Sequence, residues 1–182
     1  VSGWRDDNGK VPLKKTRDFK NLDEMNDTIV NNINKVVKQD DILIFLGDFS
    51  FSGFDQIRKF RDRIVCKTIH FITGNHDHHV DNNRENIQEI FTSVSEFTLL
   101  KYGTLVFILF HRPIRSWDNM KKGVMHLYGH LHSSPEKRFG IGRSMDVGID
   151  SNPEFRPYNI KEIISLLEVR SIKSEIIDDH HI

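Results

Sequence analysis

Apolar residues recur at helical spacing at Leu22, Met25, Ile29, Ile33 and Val36/Val37, which predicts an amphipathic helix over 21–38. Asn21 and Glu24 have the spacing of a capping box at its start. Its β-branched and Asn content lowers intrinsic propensity, so tertiary packing must hold it. A continuous apolar run over 42–46 then reads as a strand, ended by Gly47-Asp48. Residues 54–64 read as a second helix with Phe54, Ile57, Phe60 and Ile64 inward. A strand over 68–73 ends in Gly74-Asn75-His76-Asp77, and 84–91 reads as a short helix. Segments 97–101 and 105–110 flank Tyr102-Gly103-Thr104 as a hairpin, whose second arm ends at His111. Strands over 124–128, ended by Gly129-His130, and over 143–149 follow. A closing helix over 159–169 places Ile160, Ile163, Ile164 and Leu167 on one face. Strands mixed with helices predict a layered α/β domain, and the hairpin argues against a purely parallel sheet.

A chain of 182 residues predicts a single domain spanning 1–182. Its 26 basic and 26 acidic residues cancel, so no long-range basic field draws it to nucleic acid or membrane. The longest apolar runs, 42–46 and 105–110, fall far short of the ~20 residues that span a bilayer. Cys66 is the only cysteine, which excludes an internal disulfide framework and a Cys-rich zinc site. A soluble, cytoplasmic domain is the expectation. The ten histidines are the compositional oddity.

Several of those histidines stand at strand ends. Four apolar strands stop at Gly47-Asp48, at Gly74-Asn75-His76-Asp77, at His111 and at Gly129-His130-Leu131-His132. In layered α/β folds ligands bind beyond the carboxyl ends of the strands, so these residues can converge on one site. Gly47, Gly74 and Gly129, each before a functional residue, permit a sharp turn and close backbone approach. Asp, Asn and His offer oxygen and imidazole ligands without thiolate, a set suited to Mn²⁺, Fe, Zn²⁺ or Mg²⁺. His130 and His132 point to the same side of an extended segment. A carboxylate such as Asp48 can bridge two cations, and two cations about 3.5–4 Å apart would hold a hydroxide and clamp a phosphoryl group.

The ordered set Gly47-Asp48, Gly74–Asp77, His111 and Gly129–His132 resembles the motifs of the calcineurin-like metallophosphoesterases, in small members without a cap domain. The resemblance implies a four-layer α-β-β-α sandwich with mixed sheets and two divalent metal ions. Mn²⁺ is the first choice, with Fe, Zn²⁺, Mg²⁺ or Ni²⁺ as alternatives. By that resemblance Asp48 is the bridging ligand, Asn75, His111 and His130 belong to the second metal, and His132 to the first. His76 contacts the phosphate, as Asn75 does, and protonates the leaving oxygen; Asp77 has an orienting or hydrogen-bonding part in the same catalytic loop. The implied activity is hydrolysis of a phosphodiester or phosphomonoester, on a small phosphoester or nucleotide-like substrate. A non-catalytic metal- or phosphate-binding domain and a nuclease are the alternatives, nucleic acid being disfavoured by the neutral charge.

The family also has a first strand ending in Asp-x-His, and nothing in 1–20 matches it: Asp6 and Asp7 are followed by Asn8 and Gly9. Residues 1–20 read as a connecting loop. The expectation is a native chain longer upstream by roughly 15–25 residues, with the first metal left only Asp48 and His132. Residues 170–182 read as a frayed tail or a terminal strand. Elsewhere the plainer readings prevail. His70 and His126 lie inside strands and read as packed residues, His78 and His79 as a solvated loop, His180 and His181 as terminal. Cys66 reads as a small core residue, and Gly140-Ile141-Gly142 as a turn rather than a phosphate cradle. Arg112, beside His111, suits a phosphate oxygen and equally a solvated surface.

Overall fold

The computed structural model describes residues 17–50, 53–78 and 84–172. The chain runs α1 (Leu22–Val36), β1 (Ile42–Leu46), α2 (Phe54–Asp62), β2 (Thr68–Ile72), α3 (Arg84–Ile90), β3 (Ser93–Ser95), β4 (Phe97–Tyr102), β5 (Leu105–Phe110), β6 (Met125–Tyr128), β7 (Ser144–Asp146) and α4 (Ile160–Glu168). Two sheets form. One is parallel, in the order β1-β2-β3; the other, β4-β5-β6-β7, is antiparallel at β4–β5 and parallel beyond. The mixed α/β class expected from the pattern is therefore present.

Alternation along the strands splits the core in two. Leu43, Ile69 and Phe71 face α1 and α2, meeting Met25, Ile29, Ile33 and Ile57, together with Ile87 of α3. Ile44, Leu46 and Ile72 face the other way and meet Phe107, Leu109, Met125 and Leu127 of the second sheet, with Ile163 and Leu167 of α4. Each fully buried Ile, Leu or Phe contributes ~1.5–3 kcal/mol, so the two clusters hold both sheets face to face. Asn21 caps α1 by accepting from the Glu24 N–H, while the Glu24 carboxylate reaches back to Lys20 N rather than to Asn21. Leu22 and Val36, expected inward, are exposed, and Val30 takes a core place instead. Among the described residues no helix is long and apolar enough to cross a membrane.

Three sequence expectations need correction. The strand expected over 143–149 is only Ser144–Asp146, because the Asp146 carboxylate accepts from Gly148 N and Ser133 N and turns the chain into a short 3₁₀ segment, Ile149–Ser151. Strand β3 was not expected; it is short and polar, yet it pairs with β2 through His70↔Ser93 to Ile72↔Ser95. Arg170 is not frayed: its guanidinium donates to the carbonyls of Gly140 and Gly142 and lies over the Phe139 ring. Residues 1–16 and 173–182, with His79, His180 and His181, lie outside the described residues; Arg17–Lys20 carry no helix or strand.

The two strand histidines are structural. His70 Nδ1 bonds Ser93 Oγ at 2.6 Å. His126 is 0% exposed, with Nδ1 3.2 Å from the Ile108 carbonyl and Nε2 accepting from Ile114 N at 3.3 Å. One donor and one acceptor satisfy a neutral ring, and burial pushes its pKa down. A depressed folded pKa means that the stabilising contribution is full above the unfolded value near 6.5 and is lost as pH falls below it. Urea unfolding between pH 7.5 and 5.5 should show this group costing up to ~1.4 kcal/mol per pH unit. His126→Gln keeps a donor and an acceptor and should flatten that slope; an unchanged slope would exclude His126 as its source.

Candidate metal centre

Parallel pairing brings the strand ends to one edge. Leu46 pairs with Ile72, which sets Gly47-Asp48 beside Gly74-Asn75, and Leu109 pairs with Leu127, which sets His111 beside Gly129-His130. The two sheets touch there: His111 Nδ1 lies 2.7 Å from the Leu46 carbonyl oxygen, and Gly129 N donates to the His111 carbonyl. The expectation that strand-end residues converge holds for Asp48, Asn75, His111 and His130.

His111 is the centre of the group and only 2% exposed. Its Nδ1 can only donate to a carbonyl, which leaves Nε2 with a lone pair in the neutral ring. Around that Nε2 stand Asn75 Oδ1 at 3.0 Å, His130 Nδ1 at 3.1 Å and Asp48 Oδ2 at 3.2 Å. One ligand atom from each of Asp48, His111 and His130 lies within 4.8 Å of the other two. Each of these four groups can offer a lone pair, so a cation placed among them would be held by all four. Burial alone would lower the His111 pKa, but the bonds to Asp48 and to the Leu46 carbonyl outweigh it and hold it above the usual value. Asp48 is depressed by the same pairing, again against its burial. His130 is pushed down by burial and by the neighbouring His111 and Arg112.

The turns that present these groups are strained and latched. Asp48, His130 and His132 all adopt positive φ, at 55°, 67° and 48°. Asp and His tolerate the left-handed region better than most residues, yet each such residue stores about 1–3 kcal/mol. Asp77, 4% exposed, holds the first turn: its carboxylate accepts from Asp48 N (2.7 Å), Gly74 N (2.6 Å) and Phe49 N (3.0 Å). Asp48 Oδ1 returns the favour by accepting from His76 N at 2.9 Å. The hydrogen-bonding part expected for Asp77 matches these contacts; a direct catalytic contact does not fit so buried a carboxylate. Phe49, which sequence reasoning passed over, pins the same turn by edge contacts to Phe45, Phe60, Phe71 and Phe91. His76 and Arg112 are exposed beside the group.

His132 has a different hydrogen-bond partner. Its Nδ1 bonds Asp150 Oδ2 at 2.6 Å, and Arg17 grips the same carboxylate at 2.6 and 2.8 Å. Among the described residues the three-ligand cluster is Asp48, His111 and His130 alone. Asp150 was not singled out from the sequence, where its partners are 18 and 133 residues away.

The glycine expectation is quantitative at two positions. A Cβ on Gly47, whose φ is +87°, would stand 2.2 Å from His111 Nδ1; one on Gly74 would stand 2.3 Å from Asp48 Oδ1 and 2.6 Å from Asp48 N. Backbone must move to admit it. Gly74→Ala should therefore cost ~1–3 kcal/mol in chemical denaturation and weaken Mn²⁺ binding in the same variant. A variant of unchanged stability and affinity would contradict the close packing of the two turns.

No protein-family model matches the chain. The chain is 27% identical over 166 residues to the uncharacterized protein MJ1445 of Methanocaldococcus jannaschii, covering 89% of this chain and 86% of that one. Its fold is similar to the crystal structure of AQ665, a protein of unknown function from Aquifex aeolicus. That likeness has a TM-score of 0.64 and 18% identity, over 85% of this chain and 91% of the other. The two-sheet α/β fold described above is thus one this chain shares with a solved structure.

Proposed function

We propose that the chain is a metal-dependent phosphoesterase of the calcineurin-like kind, in which Asp48, Asn75, His111 and His130 hold a divalent cation. The observation that carries this reading is the convergence of Asp48, Asn75 and His130 on His111 Nε2, whose other ring nitrogen is committed to Leu46. Helices on the outer face of one sheet, with its inner face against the second sheet, support the four-layer arrangement. The donor set of nitrogen and oxygen without thiolate fits Mn²⁺ first, then Fe, Zn²⁺, Mg²⁺ or Ni²⁺.

A bound cation of this kind supplies Lewis acidity toward a phosphoryl oxygen and an activated water. The chain supplies the rest. His76, exposed next to Asn75, would give a proton to the departing oxygen of a small phosphoester. Arg112 offers a planar pair of donors to a phosphate oxygen. Asp77 keeps both loops in register through its three N–H contacts. His132, with Nδ1 held by Asp150, has Nε2 left as a ligand for a second cation.

Equilibrium dialysis against Mn²⁺, paired with hydrolysis of bis(p-nitrophenyl) phosphate with and without chelator, tests the proposal. The expected result is at least one Mn²⁺ per chain and turnover that chelator abolishes. Absence of binding, or turnover indifferent to chelator, would refute it. Binding without turnover would favour a second reading, a non-catalytic metal-binding domain. The engagement of His132 with Asp150 is the observation behind that alternative.

A further inference from the structure

A cleft of about 500 Å³ opens directly beside the metal centre and shares Asn75 and His111 with it. That volume lies in the range of sites that hold a small organic molecule rather than a lone anion. Its composition is uneven. The half-buried Val94 and Phe110 give it a smaller apolar surface, while Gln88 of α3 and Glu96 offer polar groups. Ser95 pairs with Ile72 at the end of β3, so Glu96 stands level with the loop that carries Gly74 and Asn75. Neither Gln88 nor Glu96 makes a side-chain hydrogen bond or ion pair among the described residues. Arg112 also lines the cleft.

The cleft therefore carries both signs of charge. Arg112, with a cation held by the neighbouring group, favours a phosphoryl group. Glu96 disfavours a second anion and accepts hydrogen bonds from hydroxyl or amine groups. The apolar surface suits the face of a ring. We infer that the cleft binds the organic arm of a phosphoester, a hydroxyl-bearing ring of nucleoside or sugar type, with Glu96 and Gln88 as its hydrogen-bonding residues. This rests on the phosphoesterase reading for its catalytic meaning, but binding can be read separately.

The test compares thymidine 5′-(p-nitrophenyl phosphate) with methyl p-nitrophenyl phosphate, which share phosphoryl and leaving groups and differ in the remaining arm. Wild-type protein should show the lower KM for the thymidine ester. Glu96→Ala and Gln88→Ala, both at exposed positions, should each raise that KM about tenfold, the effect of losing one or two hydrogen bonds. Both variants should raise the KM of the thymidine ester by a larger factor than that of the methyl ester. Equal KM values for the two esters in wild-type protein, or equal responses in the variants, would overturn the inference. If neither ester is hydrolysed, the phosphoesterase reading fails, and calorimetry with thymidine 5′-monophosphate against methyl phosphate decides the cleft alone. A tenfold preference for the nucleotide that Glu96→Ala removes supports it, and no preference overturns it.

Discussion

Asp48→Asn is expected to abolish tight Mn²⁺ binding and to lower phosphoester hydrolysis on the order of 10³-fold, with little change in melting temperature. The substitution is chosen to separate charge from shape. Asn tolerates the φ of 55° at this position as well as Asp does, so the turn keeps its conformation. The backbone N–H still donates to Asp77, and the side-chain oxygen that accepts from His76 N is retained. What disappears is the negative charge opposite His111 Nε2. A cation then faces two imidazoles and two neutral amides, a weaker set for a hard divalent ion than one containing a carboxylate. Losing even an outer partner of a metal ligand costs ~10–100-fold in affinity, so losing the only anionic ligand of the group should cost more. Isothermal titration with Mn²⁺ and turnover under saturating metal read the two effects. Retained affinity would show that Asp48 is not a ligand.

Much of this centre was legible because each contributing residue ends an apolar strand. The run over 42–46 and the segment over 105–110 cannot continue past Gly47-Asp48 and His111 without burying polar groups, and parallel pairing brings such ends to one edge. Glycine before Asp48 and before Asn75 was a second local signal, since a side chain there would meet His111 or Asp48. Asp77 was legible only as a neighbour of His76; that it latches two loops depends on the 28–29 residue separation to Asp48 and Phe49. Helix α4 carried a readable cap that went unused, Asn159 with Glu162, in a fuller box than that of α1. Strand β3 has no apolar alternation to announce it, because Ser93 and Ser95 flank a single Val94 and pairing with β2 defines it. The Arg17–Asp150–His132 group left no trace in the sequence. An ion pair across 133 residues has no periodicity, and Asp150 lies just beyond the segment 143–149 that was expected as a strand.

Asp150→Ala should destabilise the chain by about 3–5 kcal/mol at pH 7, a large fraction of a typical domain's stability. The Asp150 side chain is 1% exposed and that of Arg17 only 11%, so the guanidinium left behind is a nearly buried charge without its partner. Removing Arg17 instead leaves the carboxylate with His132 and costs less. The double variant Arg17→Ala/Asp150→Ala should be more stable than the sum of the single losses allows, because neither charge is then stranded. Acid gives an independent measure of the same pairing. Burial alone would raise the Asp150 pKa, but the bonds to His132 and Arg17 bring it down to about 2 from 3.8. A depressed folded value means that the contribution is fully present above the unfolded pKa near 4 and is lost as pH falls through about 2. That shift corresponds to about 2 kcal/mol, smaller than the truncation cost because protonation leaves the hydrogen-bonding shape in place. Urea denaturation of the four proteins at pH 7, repeated at pH 4.5 and 2.5, separates the terms. A loss below ~1 kcal/mol for Asp150→Ala at pH 7, or additive single losses, would show that this clasp does not hold the loop behind His132.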